Sequence, residues 1–170
     1  MLLFLIGMPG CGKSTLSEFL SGKLNLKRID LDEEIVSFEK KSIEDIFRDN
    51  GEEYFREIER QMVEKVCKLE NAVISTGGGA PCFHNNMETM NKTGITVFLN
   101  VPVHTLVARM HAHDANRPML NGKSAEELTD FLEQKLRERL TFYQKAALIL
   151  NGENIHGNEI ITGLRRHGLI

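Results

Sequence analysis

Gly7-Met8-Pro9-Gly10-Cys11-Gly12-Lys13-Ser14-Thr15 sets a lysine and two hydroxyls directly behind three spaced glycines. The spacing fits G-x-x-x-x-G-K-[ST], a loop that turns successive backbone N–H groups inward on a phosphate. Gly10, Cys11, Gly12, Lys13, Ser14 and Thr15 would then line a nucleotide's phosphates. In such a loop the lysine reaches the β- and γ-phosphates, and the hydroxyl at position 14 binds Mg²⁺. A glycine-rich turn that merely contains Lys-Ser is the plain alternative. The flanks argue against it: the apolar run Leu2-Leu3-Phe4-Leu5-Ile6 precedes the loop and a helical pattern follows. The positive end of that helix favours an anion. Cys11 lies near the same helix start, where a thiol becomes more acidic, or it simply fills a loop position with a small side chain.

Other chemistry-bearing residues stand at the ends of further apolar runs. Asp30-Leu31-Asp32 closes the run at 27–30. In open α/β sheets ligands bind beyond the carboxyl ends of the strands. One of these carboxylates can hold the Mg²⁺ water shell and the other can bind or deprotonate an acceptor hydroxyl. The competing role is to cap the next helix, which Glu33 could also do. Ser75-Thr76-Gly77-Gly78-Gly79 follows the run at 72–75. One glycine suffices for a turn, so three point to a ligand that approaches the backbone closely. Arg56, Glu59 and Arg60 share a helix face by their spacing, although exposed pairs of this kind contribute little. Arg109, Arg117, Arg137 and Arg139 complete the set, with Tyr143 one turn beyond Arg139. Arginine suits bidentate recognition of carboxylate and phosphate.

The elements that position these residues alternate. Apolar runs at 2–6, 27–30, 72–75, 95–100 and 147–151 read as strands buried on both faces, with helical patterns between them. That order predicts an α/β fold with helices on both sides of a parallel sheet. Ser42 and Ser124 mark helix starts, with Asp45 and Glu127 in the acidic slot of a capping box. Asn50-Gly51 is expected to end the first of these helices. A second, over 52–69, carries an apolar stripe, as does a third over 124–145. Residues 111–123 form the most polar stretch without a period and read as a lid. His111, His113 and Asp114 within it lack the second cluster a zinc site needs, and read as solvated lid residues.

At 170 residues the chain is expected to form one domain, 1–170. A net charge of −3 gives no general basic surface, which argues against nucleic acid as a partner. Three cysteines without a CxxC pair fit a reducing, cytoplasmic setting. The first apolar run is too short and lacks the basic flank of a signal peptide, and no segment is long enough for a membrane span. A monomer is the expected state.

Taken in order, the motifs resemble those of shikimate kinases over essentially the whole chain. They are the loop at 7–15, Asp30-Leu-Asp32, Phe55-Arg56-Glu57-Ile58-Glu59, Gly77-Gly78-Gly79, Arg117-Pro118-Met119-Leu120, and Arg139 with Tyr143. The resemblance implies a three-layer α/β/α fold with a five-stranded parallel sheet of order 2-3-1-4-5. It implies ATP-dependent phosphorylation of the 3-hydroxyl of shikimate, in aromatic amino acid biosynthesis, with Mg²⁺. By motif, Lys13, Asp32 and Arg117 would be catalytic, Ser14 and Asp30 would serve the metal, and Arg109 would lie against adenine. Asp32, Arg56, Gly78, Gly79 and Arg139 would hold shikimate. Glu59 would orient Arg56, with Phe47 and Phe55 as apolar walls. Two positions depart from the family pattern: Thr141 stands where proline is usual, and Asn151-Gly152 where Asp-Thr is frequent. A gluconate-kinase-like enzyme would share the loop, fold and lid, but would not need Arg56, the glycine run and Arg139 together. A non-catalytic member of the fold, acting as a metabolite sensor or structural partner, would be expected to lack Lys13, Asp32 or Arg139, and all three are present.

Overall fold

The computed structural model describes residues 1–112 and 124–170. Five strands, β1 (Leu2–Ile6), β2 (Lys27–Asp30), β3 (Ala72–Ser75), β4 (Ile95–Asn100) and β5 (Leu148–Asn151), form one sheet of order β2-β3-β1-β4-β5. Every pairing is parallel. All residues of β1 and β3 are buried, which requires cover on both faces of the sheet. The helices supply it: α1 (Lys13–Leu24), α2 (Leu31–Glu39), α3 (Ile43–Val66), α4 (Asn86–Thr93), α5 (Val103–Ala112), α6 (Ala125–Tyr143) and α7 (Gly157–Arg166). The α1 helix packs on α7 and on the first three strands, while α2, α3 and α4 pack in succession and α5 packs on α6.

Register aligns the functional ends of the strands. Ser75 pairs with Leu5 and with Asp30, so β1, β3 and β2 finish level with one another. The loop after β1 therefore opens directly beside Asp30 and the glycine run.

The expected elements are present with adjusted limits. The helices read separately around Asn50 run on as α3, but Gly51 interrupts the helical backbone with φ 83° and ψ 173°. The second part ends at Val66 rather than at 69. Ser124 and Glu127 form the full capping box: Ser124 N–H donates to Glu127 Oε2 at 2.7 Å, and Glu127 N–H donates to Ser124 Oγ at 3.2 Å. At Ser42 only half forms, because Asp45 accepts from the Ser42 hydroxyl rather than from its backbone. Helix α6 continues to Tyr143 through Thr141, which retains the N–H that a proline would lack. The α5 helix includes His111 and Ala112. The rest of the expected lid, including His113, Asp114 and Arg117-Pro118-Met119-Leu120, lies outside the described residues.

Candidate active site

The loop after β1 takes its shape from glycines in left-handed conformations, with φ 80° at Gly10 and φ 101° at Gly12. Side chains rarely adopt these angles. Cys11 is buried, and its Sγ occupies the loop interior, 3.0 Å from where a Cβ on Gly7 would stand. That is the small-residue role. Lys13 turns back on the loop, donating to the Gly7 and Met8 carbonyls at 2.9 Å each, with Cys11 Sγ at 3.7 Å. A phosphate in the loop would compete for the same ammonium group.

Asp30 takes the capping role that the sequence leaves open and turns its second oxygen to the phosphate loop. Its Oδ1 caps α2, accepting from Asp32 N–H at 3.1 Å and Glu33 N–H at 3.4 Å. Its Oδ2 accepts from Ser14 Oγ at 3.1 Å and Ser75 Oγ at 2.8 Å. Capping directs one oxygen to the helix and the other to the phosphate loop. Asp32, in the first turn of α2, is held above the usual carboxylate range by burial and by neighbouring Asp30, against the pull of Lys13 and Arg56.

The glycine run is a spacer for charged side chains. A Cβ on Gly77 would stand 2.9 Å from Asp32 Oδ1 and 3.2 Å from Glu59 Oε1. One on Gly78 would stand 3.0 Å from Arg139 Nη1 and 3.0 Å from Pro9 Cδ, and one on Gly79 would stand 2.7 Å from Arg56 Nη1. None of the three has a positive φ. Close approach, not turn geometry, is what excludes a side chain here. The groups approaching so closely are the protein's own.

Arg56 is pinned from several sides. It donates to Glu59 Oε2 at 2.8 Å and to Glu52 Oε1 at 3.1 and 3.2 Å. Its guanidinium lies 4.1 Å from the centre of the Phe83 ring and 5.1 Å from that of Phe55. Phe47 stacks on Phe55 with ring centres 4.5 Å apart. Glu59 is 1% exposed, and burial pushes its carboxyl up to about 7 despite Arg56. Arg139 reaches Gly78 and the Met8 sulfur from α6, and Tyr143 donates to the Gly78 carbonyl at 2.5 Å. Burial raises the Cys82 thiol to about 11, so it stays neutral beside both arginines. Arg60 pairs instead with Glu57 and Glu64, and exposed Arg137 with Glu133, so neither joins this group.

One cavity of about 880 Å³ unites the phosphate loop with Asp30, Asp32, Gly77 and Gly78 at one side. Arg56 and Arg139 are not among its walls; their guanidinium groups lie next to it, where the side chains of Gly79 and Gly78 would otherwise stand. Arg109 lines another part of it, where its guanidinium donates to Gly10 O at 3.2 Å, Glu153 O at 2.6 Å and Asn154 Oδ1 at 3.2 Å.

This arrangement can be set beside known proteins. A family model described as shikimate kinase matches residues 9–166. The chain belongs to the shikimate kinase family. A shikimate kinase of Bacteroides thetaiotaomicron is 47% identical over 153 residues, covering 90% of this chain and 87% of the relative. A 1.7 Å crystal structure of shikimate kinase from that organism superposes with a TM-score of 0.90 and 44% identity, over 98% of this chain and 95% of the other. A shikimate kinase from Acinetobacter baumannii, solved in complex with shikimate, gives a TM-score of 0.86 at 28% identity over 99% and 92% of the two chains. These matches favour the kinase of shikimate over the gluconate-kinase-like reading, and the sheet order is the one the family resemblance implied.

As a member of this family the chain has donors that fit Mg²⁺. Ser14 and Asp30 are hard oxygen groups meeting at the mouth of the phosphate loop. Mg²⁺ is usually held by one or two carboxylates, substrate phosphates and water, without a protein cage. Among the described residues there is no cluster of three or more His, Cys, Asp or Glu that could hold a metal, and no helix is long and apolar enough to cross a membrane.

Sequence reasoning did not single out Phe83, Ser75 or Met8. Phe83 follows a short 3₁₀ turn at Ala80–Cys82 and carries no periodic signal. Ser75 could be found only from strand register, and Met8 is a variable position of the loop motif.

Proposed function

We propose that the protein transfers the γ-phosphoryl group of ATP to the 3-hydroxyl of shikimate, as a single-domain, monomeric, cytoplasmic enzyme. The carrying observation is the shared cavity: the phosphate loop and Asp32 line one space, and the guanidinium groups of Arg139 and Arg56 lie against the adjoining Gly78 and Gly79. Shikimate is a small anion with vicinal hydroxyls, so it needs cations at one end and a carboxylate at the other. Arg56 and Arg139 would grip its carboxylate. Asp32 would accept a hydrogen bond from the reacting hydroxyl, and Gly78 and Gly79 would line the shikimate pocket while leaving room for the two guanidinium groups.

Phosphoryl transfer passes through a loose transition state, so alignment and charge neutralisation account for most of the catalysis. Lys13 would exchange the Gly7 and Met8 carbonyls for the β- and γ-phosphates, assisted by the N–H groups of residues 10–15. Mg²⁺, when bound by Ser14 and Asp30, would neutralise phosphate charge. Asp32 would chiefly orient the acceptor and receive its proton. Glu59 would fix the Arg56 guanidinium, and Arg109 would border the base. Arg117, which lies outside the described residues, is proposed on its motif alone to act on the phosphates.

The test is a coupled ADP-release assay with MgATP and, separately, shikimate, gluconate and nucleoside monophosphates. Turnover is expected with shikimate. Folded protein showing no shikimate-dependent ADP release would overturn the reading.

A further inference from the structure

We infer that Phe83 is a positioning residue for the substrate's carboxylate, whose ring face sets the plane of the Arg56 guanidinium. The role rests on the reading of Arg56 as a group that grips shikimate. An arginine carries five N–H donors in a rigid fork. Glu52 takes two of them, from Nε and Nη2, and Glu59 takes one, from Nη1. Two remain, one on each terminal nitrogen. Both terminal nitrogens face Gly79, where a Cβ would stand 2.7 Å from Nη1 and 2.8 Å from Nη2. The missing side chain leaves that edge open, and one N–H from each nitrogen suits a carboxylate held by both oxygens. The two glutamates fix points on the rim of the guanidinium, and Glu52 is a loose anchor with a side chain 59% exposed. An aromatic face fixes the plane itself. Arg56 Cζ lies over the Phe83 ring, 4.1 Å from its centre, closer than the 5.1 Å to Phe55.

The backbone around Phe83 is built to hold the ring there. Among the described residues Ala80 belongs to the hydrophobic core and Cys82 packs against it, whereas half-buried Phe83 does neither. Core packing therefore does not account for the ring. The next two residues both take left-handed backbone angles, with φ 49° at His84 and φ 58° at Asn85. Two successive non-glycine residues in that region are costly, and such conformations persist where the surroundings impose them. Asn86 imposes this one: its N–H donates to the Phe83 carbonyl at 2.9 Å, and its buried side-chain amide donates to the Ala80 carbonyl at 2.9 Å. The chain thus turns sharply into α4 immediately after Phe83, with the ring left over Arg56.

The experiment places 4-fluoro-, 3,5-difluoro- and 3,4,5-trifluorophenylalanine at position 83 of the intact protein. These withdraw charge from the ring face in steps at nearly constant shape. Shikimate binding, read by calorimetry, should weaken at each step, to about fivefold for the trifluoro ring. The shikimate KM should follow, with kcat within about twofold and the ATP KM constant. Phe83→Leu should weaken shikimate about tenfold and Phe83→Trp should retain it; if the leucine variant folds poorly, the fluorinated series decides alone. The methyl ester of shikimate, which lacks the carboxylate charge, should keep its kcat/KM across the series. A flat response to fluorination, or equal losses for shikimate and its ester, would overturn the inference. Failure of the kinase reading is distinct: shikimate would bind with this dependence on residue 83 but cause no ADP release.

Discussion

Replacing Glu59 by glutamine should change how stability depends on pH. Glu59 is 1% exposed and its carboxyl is raised from 4.5 to about 7, chiefly by burial. The folded protein therefore keeps a proton that the unfolded chain releases. For a carboxyl raised on folding, stability is fully present below the unfolded value and is lost as pH rises through the folded one. At about 1.4 kcal/mol per pH unit, the displacement amounts to about 3 kcal/mol, most of it lost between about pH 5 and pH 8. Glutamine keeps the shape and an acceptor for Arg56 but does not titrate. Urea unfolding of both proteins across that range isolates the effect, since any constant cost of the substitution cancels in the slope. Wild type should lose roughly 3 kcal/mol more than Glu59→Gln on going from the acid to the alkaline end. Asp32, also raised, is present in both proteins and is one of the causes of the Glu59 shift, so the difference in slope belongs to the pair of carboxyls, with burial of Glu59 as its main source. Parallel stability curves would refute the assignment of a buried, proton-holding Glu59.

Two substitutions address the acceptor side kinetically. Arg139→Ala should raise the shikimate KM about tenfold to a hundredfold, the worth of a charged hydrogen bond, with the ATP KM nearly unchanged. Equal effects on both substrates would count against a carboxylate grip. Gly79→Ala tests the spacer role, because its φ of −87° and ψ of −20° suit alanine while the new Cβ would meet both Arg56 Nη atoms at 2.7 and 2.8 Å. The fold should survive, as circular dichroism would report, while the shikimate KM rises about tenfold as Arg56 is displaced. A wild-type KM would show that Arg56 can shift without consequence.

The five strands and the phosphate loop were legible because each has a local signature: an apolar run, or fixed residues at fixed spacing. The strand order was legible through family resemblance, since an apolar run does not name its neighbour. Asp30 shows where local reading stops. Either capping or metal duty could be argued from Asp30-Leu-Asp32, but that one carboxylate performs capping with Oδ1 and meets Ser14 and Ser75 with Oδ2 needed the register that brings β2, β3 and β1 level. Phe83 against Arg56 is a contact between distant segments with no periodic or motif signal. The glycine run was legible as a place of close approach. What approaches was not, because the answer depends on where α2, α3 and α6 deliver Asp32, Arg56 and Arg139.

That answer bears on how the two halves of the site are joined. A Cβ on Gly78 would stand 3.0 Å from both Pro9 Cδ of the phosphate loop and Arg139 Nη1 of α6, and the Gly78 carbonyl accepts from Tyr143. Met8, in the same loop, meets both Arg139 and Tyr143 through its sulfur. The loop that would hold ATP and the arginine that would hold shikimate therefore share neighbours within van der Waals reach. A packed contact of this kind has little freedom to adjust one side alone. If Lys13 leaves the Gly7 and Met8 carbonyls for a phosphate, the Met8 backbone loses a partner beside the atoms that seat Arg139. Helix α6 runs through Thr141 to Tyr143, so Arg139 and Tyr143 meet this junction from one element. Coupling between the substrates would then run through Met8, Pro9 and Gly78, with no movement of the sheet required.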